Sequence, residues 1–595
     1  MRSLATIDGK SSTAGASSRR PSPPRISSQV GAAVFVWSTW VVSLLVALGY
    51  VGRFGADAPR YDDYAVVPQL CGEEPITIGW LWSQHSEHRI PLPRLVLLGV
   101  FGLDGADPRP VMGLIVLLLA AGAAALLIAV ARDPRGRRYA DAFLPLALLN
   151  LGHHHNLLWA IQVAYVLPVV LFCAATGLVA ARSDRPDLPR AAAFGACLAL
   201  MPLCNAGGLL LLPAPILWLV ATGWAEARSG RPGSRRRGAW LALCAAPSAV
   251  LAIVYLRGYA APSHHAPPGG LGAVWRSTLQ FLATGFGPAG VALWPCSGVA
   301  AAVVAIGAAA TLLVAWFRRP EKRPRIGGLL AMLASVGGLA LGTGWGRSGE
   351  GVEAGLQLRY ATLAAPTLVV AYLAFAFHGG RVLRSIAPTA LFAASCMLLW
   401  PNTRDALEAG HAAGTQAARF AREREAGVPI FRLVRRYVPF LHPSQQTLHD
   451  YLEMLREARM GRFGRLRPDP TFREDSLDPR PSDVRMGRWK SGEFIAEGPD
   501  PWVRFDLPET VRVAGVRIRY DHRNDDGAPA RFRLAWCPSS RYDAPETQYG
   551  DWFLPTGEDR TTTVWIDEPV ARIRIQPDNR PCRIRIRELT LLIEP

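Results

Sequence analysis

The chain has 595 residues, half of them hydrophobic and about a fifth charged, with a formal net charge of +18. That length exceeds one ordinary globular domain, and the apolar residues gather in blocks near the ~20 residues that cross ~30 Å of hydrocarbon. Residues 1–401 hold 33 Lys/Arg against 17 Asp/Glu, whereas 402–595 hold 32 against 30. The positive excess therefore belongs to the apolar half, which excludes nucleic-acid binding as its cause.

In chain order, residues 1–29 are basic and Ser/Pro-rich and read as a disordered cytoplasmic tail. No small-residue cleavage site follows the first apolar run, so this is not a cleaved signal peptide. Membrane spans are expected over 30–51, 111–131, 140–152, 160–181, 191–204, 208–224, 239–257, 296–317, 326–343, 361–378 and 385–401. The expected fold class is a polytopic α-helical membrane protein of about eleven spans, residues 30–401, with a C-terminal all-β domain. Lys and Arg cluster in alternate loops, at 132–138, 182–190, 228–237 and 318–325 and at Arg381 and Arg384. By the positive-inside rule the N-terminus is cytoplasmic. The intervening loops and the C-terminal part then face outward, which fits a multi-pass protein of a bacterial inner membrane.

The first outer loop, 52–110, carries two polar motifs. One is Arg60-Tyr61-Asp62-Asp63-Tyr64. The other runs from Trp82 through His85, Glu87, His88 and Arg89 to Arg94. Between them residues 76–81 are apolar enough to lie along a membrane surface, where Trp80 and Trp82 suit the interface. A plain reading has these polar groups meet water and headgroups. A chemical reading uses a carboxylate to take a proton from a hydroxyl within hydrogen-bond reach. Its neighbour orients the acceptor or holds a metal. The flanking Tyr61 and Tyr64 do not decide which aspartate is the base, with a lean to Asp63.

Further outer loops add candidates for substrate binding. His153, His154 and His155 are adjacent, so on a helix they point apart. Hydrogen bonding to a sugar or headgroup, through His155 and the nearby Gln162, is favoured over a metal site. His264 and His265 are weaker. Arg347, Arg359 and Tyr360 precede the tenth span, where the arginines can grip phosphate bidentately or snorkel at the interface.

Beyond Pro401 the composition changes. Residues 402–460 show helical apolar spacing near Phe431, Val434 and Val438 and at Leu448, Leu452 and Leu455, making 402–470 an outer helical segment with a linker. Residues 461–500, rich in Pro, Gly and Asp, read as that linker and its continuation. From Trp502 on, Val513, Ile518, Ile573, Ile575, Ile584 and Ile586 alternate with arginines, the pattern of half-buried antiparallel strands, so 471–595 is expected to be a β-sandwich. Cys537 and Cys582 lie in it, as a disulfide or as two core thiols. Trp536, Tyr549, Trp552 and Trp565 either fill its core or stack on sugar rings.

The pair Asp62 and Asp63, the element Glu87-His88-Arg89, and Arg347 with Arg359 and Tyr360 resemble the GT-C superfamily of integral membrane glycosyltransferases, in particular its uncharacterised bacterial members. The resemblance covers residues 30–401. It implies a polyprenyl-phosphate-linked sugar as donor, a glycan or lipid-linked acceptor on the outer face, and Asp62 or Asp63 as catalytic base. The second acidic pair of some relatives is here a histidine run, which leaves a divalent metal an open question. Trp502-Arg504-Phe505-Asp506-Leu507-Pro508 followed by alternating strands is similar to discoidin-like, galactose-binding-like domains, which implies a carbohydrate-binding module. The rival readings are a glycolipid transporter or flippase, which needs ionisable groups inside the spans, and a membrane-anchored glycan-binding protein. Membrane lipids are expected partners and nucleic acids are not.

Overall fold

A computed structural model describes residues 26–133, 136–181, 188–262, 265–524, 529–539, 541 and 544–595. Among these, nine helices are long and apolar enough to cross a membrane: Gln29–Phe54, Arg109–Ala131, Ala160–Ala180, Ala206–Ala227, Ser234–Leu256, Cys296–Arg318, Pro320–Arg347, Leu358–His378 and Arg381–Glu425. The chain is a multi-pass membrane protein. Every residue of Ala361–His378 is buried, and Val163–Ala180, Cys296–Arg318, Arg323–Arg347 and Arg381–Glu425 pack around it. The outermost helices leave apolar side chains such as Val42, Leu45, Met397 and Trp400 uncovered, as lipid-facing surfaces require.

Two of the eleven expected spans are not long helices. Over 140–152 the structure has a seven-residue helix, Phe143–Leu149, flanked by short turns. At 1.5 Å per residue that covers about 10 Å. Asn150 breaks it: its backbone is extended and its side chain accepts from Gly152 N at 2.7 Å, starting a new turn. The broken segment still runs the length of the bundle. Arg137 N donates to Gln29 beside the start of Ile26–Phe54, and Trp159 Nε1 donates to Arg60 beyond its end. The region 191–204 lies in a shorter apolar helix, Leu188–Leu203. The next helix is started by Asn205, whose side chain accepts from Gly208 N and donates to Ala164 O.

Pro401, where composition changes, does not end a helix. Arg381–Glu425 is continuous over 45 residues, about 68 Å, and carries the chain well beyond the bundle. Asn402 secures it by accepting from Ala289 N and donating to Phe286 O. Helices Ile430–Tyr437 and Gln445–Glu457 then fold back. Their apolar faces form a shared core with Tyr64 and Val67 of the first loop and Trp565 and Leu592 of the strand region.

The strand region is one antiparallel nine-stranded sheet: β3 (Arg473–Leu477), β4 (Asp483–Arg485), β5 (Gly487–Lys490), β6 (Glu493–Ala496), β7 (Trp502–Asn524), β8 (Ala530–Cys537), β9 (Thr547–Leu554), β10 (Gly557–Gln576) and β11 (Cys582–Ile593). A separate two-residue hairpin, β1 (Gln84–His85) and β2 (His88–Arg89), lies in the first loop. The order in the large sheet is β5-β6-β11-β7-β10-β8-β9, with β3 added to β11 and β4 to β7. β3–β6 occupy much of the stretch whose composition suggested a linker. The pairing of β7 with β10 shifts register at two bulges between Trp565 and Arg572, which bends both strands. The core holds Val503, Phe505, Val516, Ile518, Ile573, Ile575, Ile584 and Ile586, the apolar half of the alternation. Trp536, Tyr549 and Trp565 are buried and not available for stacking on a sugar; the side chain of Trp552 lies outside the described residues. Cys537 and Cys582 are both buried free thiols, not a disulfide.

Candidate functional site

The two adjacent aspartates have opposite environments. Residues 61–66 form a 3₁₀ turn at the bundle end away from the arginine-rich loops. The turn is clamped on all sides. Tyr61 N donates to Leu441 O, Arg60 Nε to Phe440 O, Trp159 Nε1 to Arg60 O and Ile161 N to Asp63 Oδ1. Asp63 is fully buried. Its second oxygen accepts from Arg60 N at 3.0 Å, capping the turn. Burial pushes its carboxyl up to about 7, against the pull of the two backbone donors and the Arg60 charge. Asp63 clamps the turn and lines neither of the two cavities described below, whereas the sequence leaned to it as the base.

Asp62 points the other way. Its side chain is 55% exposed and lies 3.5 Å from His85 Nε2. Desolvation acts to raise its carboxyl, but His85, Arg359 and His442 outweigh this and hold it below the usual carboxylate range. It is therefore ionised at neutral pH. The residue before it, Tyr61, has φ of 47°, a region that costs a non-glycine residue about 1–3 kcal/mol and is tolerated where surroundings enforce it. The strain turns Asp62 outward while Asp63 goes in.

A similar capped turn, without the positive φ of Tyr61, occurs at the opposite end of the bundle. Arg138-Tyr139-Ala140-Asp141 is again a 3₁₀ turn in which the Asp141 carboxylate accepts from Arg138 N at 2.9 Å. It repeats Arg60, Tyr61 and Asp63 and has alanine in place of Asp62. The clamp belongs to the turn; the exposed carboxylate is an addition to it.

Asp62 lines a polar cavity of about 730 Å³ between the bundle and the strand region. Its other walls come from His442, Ser444, Gln446 and Asp450 of the folded-back helical segment and from Asp551, Arg560 and Thr561 of β9 and β10. None of these was identifiable from sequence, since about 380 residues or more separate them from Asp62 and no local motif marks them.

A second cavity, about 630 Å³, opens beside it. Leu209, Leu210, Leu256, Leu339, Trp345 and Leu363 make most of its wall apolar, while Glu87, His88, His265 and Arg347 sit together within it. Glu87 accepts from Arg347 Nη2 and lies 3.2 Å from His265 Nε2, and Arg347 also donates to Glu350 at 2.8 Å. Glu87 is held well below the usual carboxylate range by His88 and Arg347 despite its burial. His88 is pushed down to about 4, by burial first and then by the charges of Arg347, His85 and Arg359. It is neutral at pH 7 and contacts Tyr165 Oη at 3.2 Å. The β1–β2 hairpin joins the two cavities, since His85 on the Asp62 side pairs across it with His88 on the Glu87 side.

Arg359 lines neither cavity, but its charge reaches groups on both sides. Its charge acts on Asp62, His88 and His155, and among the described residues it makes no ion pair with a carboxylate. Its guanidinium lies 5.4 Å from the ring of buried Tyr360. The other expected residues resolve into structure or position. Arg89 is buried with its donors spent on the carbonyls of Trp82, Tyr255 and Arg257, so it ties the hairpin to the helix Ser234–Leu256. Gln162 is buried and accepts from Asn156. His155 is exposed beside Trp159, near the turn that bears Asp62. His153 and His154 are buried, against Ala147 O with Thr362 and against Asp405. His264 lies outside the described residues.

Among the described residues one group could hold a metal ion, His449, Glu453 and Asp469. Its members are already paired, His449 with Asp469 at 2.8 Å and Glu453 with Arg456 at 2.6 Å, and Asp62 is not among them. No protein-family model matches this chain, and no curated protein matches it.

Proposed function

We propose that the chain is a membrane glycosyltransferase that moves a sugar from a polyprenyl phosphate to a glycan or lipid-linked acceptor on the outer face of a bacterial inner membrane, with Asp62 as base. The observation that carries this reading is an ionised carboxylate on a clamped turn, facing a polar cavity and adjoining an amphipathic one. The apolar wall of the second cavity suits an isoprenoid chain. Arg347, which lines that cavity, and the nearby Arg359, which makes no ion pair with a carboxylate among the described residues, suit its phosphate. The acceptor enters the polar cavity, and its hydroxyl attacks the anomeric carbon as the proton passes to Asp62. The bond from that carbon to the phosphate oxygen breaks, and polyprenyl phosphate leaves with the electron pair. In-line displacement inverts the anomeric centre. His85 orients Asp62.

Orientation supports a lipid-linked donor. The basic loops gather at the other end of the bundle, where Arg138 Nη1 donates to Arg384 O. If that end is cytoplasmic, Asp62 faces away from the compartment where nucleotide sugars are made. The discoidin-like strand region would then also lie outside, against the acceptor cavity. A transporter reading gains little, because Asp141, the buried carboxylate beside the central helix, is spent on Tyr372 and Arg138 N.

The test compares surface glycans and lipid-linked sugars in a deletion strain complemented with wild type or Asp62→Asn. Wild type restores the glycan. Asp62→Asn inserts normally, fails to restore it, and leaves the lipid-linked donor to accumulate. Full restoration by Asp62→Asn would remove the base and with it this mechanism.

A further inference from the structure

The proposed reaction makes no use of the outer face of β4, β7 and β10. There Arg485 stands opposite Trp502, Arg504 opposite Arg574, and Gln548 of β9 opposite Ala535, itself opposite Arg574. Side chains alternate along a strand, so Arg485, Trp502, Arg504, Arg572 and Arg574 share one face while Val503, Phe505, Ile573 and Ile575 enter the core. Arginines alternating with isoleucines usually make a solvated face. Here Ala544, Glu546 and Gln548 wall them into a pocket of about 270 Å³.

The chemistry of the pocket is one-sided. Among the described residues four guanidinium groups line it with one carboxylate, Glu546, which pairs with Arg572 at 3.3 Å and Arg574 at 2.8 Å, while Arg504 pairs with Asp506 at 2.9 Å, so the cations still outnumber the carboxylates four to two. Arg572 is 3% exposed and Trp502 4%. The terminal nitrogens of Arg572 donate to Arg541 O and Ala544 O. Its Nε, and the indole Nε1 of Trp502, are buried with no hydrogen-bond partner among the described residues. Leaving a buried donor unmatched costs about 1–3 kcal/mol, and two side chains lining one cationic pocket carry that cost together.

We propose that this pocket binds the carboxylate or phosphate group of an acidic, monosaccharide-sized ligand, with Arg572 Nε and Trp502 Nε1 donating to it and Arg485, Arg504 and Arg574 supplying the charge. Guanidinium forks match both oxyanions bidentately. The volume lies just under the ~300 Å³ at which drug-sized sites begin, which limits the occupant to one sugar ring or less. The site shares no lining residue with the Asp62 cavity, so it is independent of the reaction proposed above.

The experiment is isothermal titration of the full-length protein in detergent with glucuronate, glucose 1-phosphate and glucose. An anionic sugar binds and glucose does not. Heat from glucuronate alone assigns a carboxylate ligand, and heat from glucose 1-phosphate alone assigns a phosphate. Arg485→Ala, at an exposed edge position, and Arg574→Gln each weaken binding about tenfold or more without changing the melting temperature. Arg523→Ala, at an exposed position of β7 outside the pocket, leaves it unchanged. The proposal is overturned if glucose binds as well as the acids or if neither acid binds by about 10 mM. It is equally overturned if the two pocket variants bind like wild type.

Discussion

At the scale of single residues, Asp62 and Asp63 show how one peptide bond separates chemistry from architecture. Asp62→Asn is expected to lower transfer at least ~100-fold, the range of a lost general base, while the thermal midpoint in detergent stays that of wild type. Asp63→Ala is expected to do the reverse first, by orphaning Arg60 N and Ile161 N at about 1–3 kcal/mol each. Asp63 also has a signed pH effect. Its folded carboxyl is raised to about 7 from an unfolded value near 4, so the folded state holds the extra proton between those values. The stability tied to that proton is present below about pH 4 and is lost as pH rises through about 7. The melting temperature of Asp63→Asn, relative to wild type, should therefore climb between pH 4 and 7. A constant difference across that range would refute the assignment of a buried, proton-holding Asp63. The two flanking tyrosines made the pair look symmetrical in sequence; the positive φ of Tyr61 breaks the symmetry, and no sequence rule foretells that a tyrosine takes it.

At the scale of elements, the legible features were those with a period. The long apolar helices and the Arg/Ile alternation follow from it, because burying one face of a helix or strand requires it. The broken segment at 140–157 was not legible as broken. Its apolar run, 140–152, is shorter than the ~20 residues of a full span, and the local competition of Asn150 and the packing of Phe143 against Tyr372, with ring centroids 5.0 Å apart, determine where it bends. The joint between the helix Gln445–Glu457 and the strands is likewise tertiary. His449 stacks on Trp565 with ring centroids 5.0 Å apart and pairs with Asp469. Burial opposes its protonation, but Asp450 and Asp469 raise it to about 9. This contribution is whole below the unfolded value of about 6.5 and is lost as pH rises through about 9. Hydrogen exchange in β10 near Trp565 should accelerate between pH 7 and 10 beyond the intrinsic rate, and His449→Gln should abolish that excess. An unchanged excess in the variant would show that another group governs the joint.

At the scale of the whole molecule, the helix Arg381–Glu425 lifts the chain off the bundle and the segment after it folds back. The strand region thus forms one wall of the cavity that Asp62 enters. If that cavity receives the acceptor, Arg560→Ala in β10 should raise the acceptor KM about tenfold, the loss of one charged hydrogen bond, with the donor KM unchanged. A change confined to the donor would move the acceptor elsewhere. Sequence by itself determined what depends on composition and period: a multi-pass apolar bundle, a strand-rich C-terminal region, and a loop dense in carboxylate, histidine and arginine. Only the tertiary structure decided which aspartate is exposed, that Arg89 is spent on carbonyls, and that residues from 442 to 562 surround Asp62. Burial and hydrogen bonding are set by neighbours that come together in space from distant parts of the chain, and a linear pattern carries no record of those distances.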